Sequence, residues 1–148
     1  MGTNIVWTLY AFNRAHKKMN GLYHGYAKKV GLSDAAFWLL YSLYEHDNFC
    51  TQKDLCDEWC FTPQTLNSAL KALEQKGFIS LEPVPNNKKN KRVCFTESGE
   101  KLTADTVVPL VRAEERAFER LTENERTALL SITQKQIEIL TEEINKIE

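Results

Sequence analysis

The sequence predicts a mainly α fold with one small β element, and three observations predict it. Apolar residues recur at alternating steps of four and three through residues 4–30. They recur again near the C-terminus, where Leu130, Ile137 and Ile144 interleave with Thr133, Leu140 and Ile147. Between these long seams, residues 51–77 read as two short helices joined by a tight turn, followed at once by two short β-prone runs.

The elements follow in order. Ile5, Leu9, Phe12, His16, Met19, Tyr23, Tyr26 and Val30 form the seam of one long first helix, which Gly21 and Gly25 are expected to bend. Such a seam cannot bury itself, so it needs partners elsewhere. Gly31 ends this helix and Ser33 caps the next, a run from Asp34 to Glu45 that is apolar over most of its circumference and suits a central position. His46-Asp47-Asn48 reads as a turn. Thr51 with Asp54 resembles a capping box that starts a short helix. Thr62 caps the following helix, with Pro63 at its first position and Gly77 as its stop. Phe78–Glu82 and Lys91–Phe95 read as strands, with Pro83–Asn90 as a polar turn carrying Lys88 and Lys89 near its tip. This succession is the order of a winged helix. Beyond it, Thr96-Glu97-Ser98-Gly99 opens a long helix with Val107, Val111, Phe118 and Leu121 on one side and a kink expected at Pro109. Thr122 and Glu125 form a capping box for the last helix.

A chain of 148 residues suits one domain with a real core, and 43% hydrophobic with 26% charged residues is ordinary for a soluble globular protein. No apolar run is long enough to span a membrane, so no membrane partner is expected. The N-terminus lacks the order of a secretory signal, and a cytoplasmic location is expected. The net charge of −1 does not announce a nucleic-acid binder, but the charge is unevenly placed. Before Asp34 there are five basic residues and no acidic one; from Cys60 to Lys101 there are seven basic against four acidic; from Glu114 onward the chain is mostly acidic.

The helix from Thr62 to Lys76 has two unlike faces. Leu66, Leu70 and Leu73 share the apolar side, whereas Gln64, Asn67, Ser68 and Lys71 fall on a polar side without a carboxylate. Such a helix is either an ordinary amphipathic surface helix or one that lies in a DNA major groove, and the hairpin directly after it favours the second reading. Gln64 and Asn67 suit paired contacts with adenine, while Thr62, Thr65 and Lys71 suit phosphates. Lys88, Lys89, Lys91 and Arg92 form either a solvated run or contacts to the DNA backbone and minor groove.

In order and spacing these residues resemble the MarR-type winged-helix transcriptional regulators over nearly the whole chain. The matching runs are Thr51-Gln52-Lys53-Asp54-Leu55, then residues 64–70 (QTLNSAL), residues 73–79 (LEQKGFI), and Phe95-Thr96-Glu97-Ser98-Gly99 at the exit from the wing. The resemblance implies a winged helix-turn-helix part over residues 33–96 and a helical dimerisation part over residues 1–31 and 97–148, within a single domain. It implies a homodimer bound to double-stranded DNA, with the helix from Thr62 in the major groove and the wing at the minor groove. It also implies control by a small molecule, metal or oxidant, and repression as the commonest outcome. Asn87 and Lys89 stand where the family often has aspartate and arginine, and Ser68 where many members have arginine. Lysine keeps the charge without arginine's planar fork, and asparagine in place of aspartate is expected to remove a partner that shapes the wing.

The other chemistry-bearing residues have plainer readings beside the functional ones. Cys50, Cys56, Cys60 and Cys94 form no disulfide framework and no CxxC motif; they read as reduced structural thiols, with a redox or metal switch as the alternative. His16 on the seam reads as a buried or interface histidine rather than a ligand. Phe12, His16, Trp38 and Tyr41 are the candidates for lining an effector pocket. No phosphate-cradling glycine loop, nucleophile elbow or acid–base constellation is present, so no enzyme activity and no cofactor or metal is expected. A protein-binding adaptor that keeps the winged-helix shape without DNA affinity is the remaining alternative.

Overall fold

A computed structural model of the chain describes residues 4–47, 50–59 and 61–147. The elements run α1 (Ile5–Lys29), α2 (Asp34–Glu45), β1 (Cys50–Thr51), α3 (Gln52–Trp59), α4 (Pro63–Gln75), β2 (Ile79–Val84), β3 (Asn87–Phe95), α5 (Glu97–Glu119) and α6 (Glu123–Ile144). Two compact units result, residues 1–108 and 109–148, and their boundary falls inside α5 at Pro109.

Local chemistry sets the helix ends. Ser33 Oγ accepts from the Ala36 N–H at the start of α2, and Thr62 does the same for Thr65 at the start of α4. Thr51 and Asp54 bond reciprocally: the Thr51 N–H and hydroxyl donate to the Asp54 carboxylate, and the Asp54 N–H donates back to Thr51 Oγ1. Thr122 and Glu125 form the same box before α6. Gly31 and Gly77 follow α1 and α4 with φ of 78° and 75°, a conformation that glycine adopts without a Cβ penalty. α1 runs unbroken through Gly21 and Gly25.

The core of the first unit is centred on α2, whose Phe37, Leu39, Leu40 and Leu43 are fully buried. Leu55 from α3, Leu66, Leu70 and Leu73 from α4, Ile79 from β2, Val93 from β3 and Val107 from α5 complete it. Ser42, also fully buried, donates to Glu58 and accepts from the Trp59 indole N–H, so α2 and α3 are joined by a satisfied polar contact. The Tyr26 hydroxyl ties α1 to α5 by donating to the Thr106 carbonyl at 2.7 Å.

The sheet has the order β1-β3-β2 and is antiparallel throughout. Its hairpin differs from the sequence expectation. The strands extend through most of the predicted Pro83–Asn90 turn, and Asn86 at φ 64° marks the reversal between Val84 and Asn87. Pro83 pairs with Lys91 and Val84 with Asn87, so Lys88, Lys89 and Asn90 bulge out of β3 instead of forming the tip.

Candidate nucleic-acid interface

α4 offers its polar side to solvent. Thr62, Gln64, Thr65, Asn67, Ser68 and Lys71 are all exposed, while Leu66, Ala69, Leu70 and Leu73 are buried behind them. The division follows from helical spacing, because the leucines must face α2 and β2 to enter the core. Thr62 and Thr65 hydroxyls lie 2.8 Å apart, and whichever of them accepts in that bond keeps its own proton for an outside acceptor. Gln64, Thr65 and Ser68 also border an open cleft of about 430 Å³ shared with Ser33 and Ala35 at the start of α2.

The hairpin supplies the cations. Lys88, Lys89 and Lys91 are exposed, the first two on the bulge. Asn87 organises that bulge: its Oδ1 accepts from the N–H groups of Lys89 and Asn90, each at 3.2 Å. The expected loss of a shaping partner at position 87 is therefore corrected, since the amide oxygen supplies the acceptor that a carboxylate would have supplied. Arg92 is half-buried on the sheet, opposite Glu82 in β2 and Thr51 in β1.

The candidate effector residues fall in two places. His16 is exposed on α1 and stacked on Phe12 at 6.2 Å, so it is not buried within the chain. Trp38 and Tyr41 are half-buried neighbours, ring centroids 5.3 Å apart, in a cluster where Trp38 also meets Tyr23 at 5.1 Å and Trp59 at 4.6 Å. Tyr23 lies two helical turns beyond His16, roughly 10 Å along α1. Tyr23, Trp38 and Phe61 line a cleft of about 420 Å³ whose rim carries the His24–Asp34 pair at 2.8 Å. That pair, ten positions apart in the chain, has no signature in the sequence.

Two of the thiols are poorly suited to a switch. Burial pushes the Cys50 thiol up to about 12, with Asp54 and Glu58 adding to the effect, and burial raises Cys94 as well. Cys56 is half-buried, and Cys60 lies outside the described residues, as does Asn48 of the predicted turn. Among the described residues no three His, Cys, Asp or Glu side chains are grouped to hold a metal.

The sequence model of the MarR family matches residues 30–89, from the end of α1 through the start of β3. YwhA of Bacillus subtilis, an uncharacterized HTH-type transcriptional regulator, is 31% identical over 98 residues, which span 66% of this chain and 70% of that protein. The chain belongs to the MarR family. It is thereby placed among transcriptional regulators rather than enzymes. The MarR-type architecture extends well beyond the matched segment. The MarR family regulator NMB1585 from Neisseria meningitidis superposes with a TM-score of 0.83 at 18% identity, covering 95% of this chain and 99% of that one. A MarR family regulator from Listeria monocytogenes, solved in complex with a 26mer DNA, superposes with a TM-score of 0.70 at 25% identity, covering 96% and 92% of the two chains. Among the described residues of this MarR-family chain, no helix is long and apolar enough to cross a membrane.

Proposed function

We propose that the protein is a homodimeric, sequence-specific DNA-binding repressor that occupies a near-palindromic operator and is released by a small-molecule effector. The observation that carries this reading is the exposed face of α4, where Gln64, Asn67, Ser68 and Lys71 stand together and the helix's one carboxylate, Glu74, comes only in its last turn, followed directly by a hairpin with three exposed lysines. Gln64 and Asn67 read base edges; Thr62, Thr65, Lys71, Lys88, Lys89, Lys91 and Arg92 contact the DNA backbone, the last four at or beside the minor groove. Two such heads bind about one turn of DNA apart, ~34–36 Å. The DNA complex of the Listeria relative supports the reading.

Dimerisation is assigned to residues 1–31 and 97–148, because α1 and α6 leave their apolar residues largely exposed. The effector is assigned to the aromatic cleft at Trp38; burial raises the thiols of Cys50 and Cys94, which speaks against those two as a switch. Selection of bound duplexes from a random pool, followed by titration of the selected sequence, tests the reading. Gln64→Ala or Asn67→Ala costs about 1–3 kcal/mol and relaxes specificity, whereas Lys89→Ala weakens all duplexes alike and lowers the salt slope by about one. Binding unaltered in both classes of variant removes the proposal. Binding to a protein with no affinity for any duplex at low salt replaces it with the adaptor reading.

A further inference from the structure

A second cleft, of about 370 Å³, opens where the end of α2, the exit of β3 and the first turns of α5 meet. Its size is that of a small-molecule site. Its described lining includes Val108, the aromatic residues Tyr44 and Phe95, and the acidic residues Asp47 and Glu100; no Lys, Arg or His is among the described lining residues. Neither carboxylate forms an ion pair with a described residue. Two anionic groups beside an apolar hollow, with no cation among the described lining residues, leave a place for a cation from outside.

Thr103 adds an independent observation. It lines the same cleft, is 3% exposed, and its hydroxyl has no hydrogen-bond partner. A helical threonine commonly bonds the carbonyl four residues back, as Thr106 does with Leu102 at 2.7 Å on the next turn of α5. A buried hydroxyl without a partner costs free energy that a ligand can return.

We propose that this cleft binds a small organic cation, an arylalkyl ammonium with a compact apolar body. The ammonium sits between Asp47 and Glu100 and against the faces of Tyr44 and Phe95, where cation–π attraction adds to the charge interaction. The apolar body lies along Val108, and a ligand N–H bonds Thr103 Oγ1 once that hydroxyl, sealed from solvent in the free protein, turns about χ1 toward the cleft. Phe95 ends the hairpin and Glu100 lies in the first turn of α5, so occupancy fixes the root of the wing against that helix.

Calorimetric titration of the full chain with phenethylammonium, without DNA, tests this independently of the α4 reading. Phenethyl alcohol and 3-phenylpropionate are the neutral and anionic probes. The ammonium is expected to bind and the other two to bind at least about tenfold more weakly. Glu100→Gln, at an exposed position that folding tolerates, weakens the ammonium about tenfold, while the off-site Glu97→Gln leaves it unchanged. Thr103→Val, of the same shape, raises the melting temperature of the free protein and weakens the ammonium. Equal binding of the alcohol and the ammonium, or an affinity indifferent to Glu100→Gln, overturns the proposal. So does the absence of ammonium binding up to about 10 mM.

Discussion

Helices α4 and α6 both carry periodic apolar residues, yet their leucines and isoleucines end in opposite surroundings. In α4, Leu66, Leu70 and Leu73 are 1–2% exposed, packed under α2 and β2. In α6, Leu130, Ile137 and Ile144 are 61%, 59% and 54% exposed, and no residue of that helix is buried. Periodicity states that a face exists; it does not state what covers it. α4 finds its cover within the same fold unit, and α6 keeps a row of side chains for another surface.

The contrast is broken or sharpened most strongly by truncation. Leu70→Ala is expected to lower unfolding stability by about 2–5 kcal/mol in urea titration, because it opens a cavity in a filled core. Leu130→Ala in dilute protein changes it by no more than about 0.5 kcal/mol, and equal losses at the two sites would erase the distinction. Next, Ile137→Asp is expected to weaken self-association by on the order of 3 kcal/mol, since a carboxylate is then buried without a partner at the interface. Sedimentation velocity would show a monomer with its head still folded; a variant that stays dimeric moves the interface away from α6.

Smaller effects come from the helix ends. Thr62→Ala removes the cap of α4 and is expected to cost about 1 kcal/mol in thermal unfolding. The least is expected from the Thr51–Asp54 box. Hydrogen bonds from the Thr51 hydroxyl and N–H hold the Asp54 carboxyl below the usual range. A carboxylate lowered on folding contributes stability in full above its unfolded value, ~3.9, and loses it as the pH falls through the folded value. Asp54→Asn should therefore flatten the acid limb of a stability–pH profile and leave neutral pH almost unchanged in shape. The Thr122–Glu125 box of α6 provides the matched site on the other side of the comparison, since Glu125 is lowered by the same kind of bonds.

α2, α4 and α6 were legible twice over, by an apolar pattern and by a cap, whereas α1 showed only its seam and α3 only its capping box. Ser33, Thr51, Thr62 and Thr122 all accept from an N–H of the first turn, as their positions before apolar runs suggest. β1 was not legible, since two residues, Cys50 and Thr51, have no period, and only pairing with Val93 and Arg92 makes them a strand. The hairpin tip was misplaced because lysine and asparagine look like loop residues, while Asn87 shapes them into a bulge within the strand. Glu58 was also invisible: its bonds to Ser42 and His46 cross 16 and 12 positions. The polar face of α4 could be read from spacing alone, but which of its residues touch DNA cannot, since that depends on the partner.

The junction after the hairpin has a mechanical corollary. Thr96 donates through its N–H to the Phe78 carbonyl and through its hydroxyl to that of Gly77, while the Gly99 N–H donates back to Thr96 Oγ1. Any side chain at Gly99 would put its Cβ 1.8 Å from the Phe78 oxygen. The first turn of α5 is thus riveted to the foot of the wing, and a torque applied to either one is delivered to the other without slack.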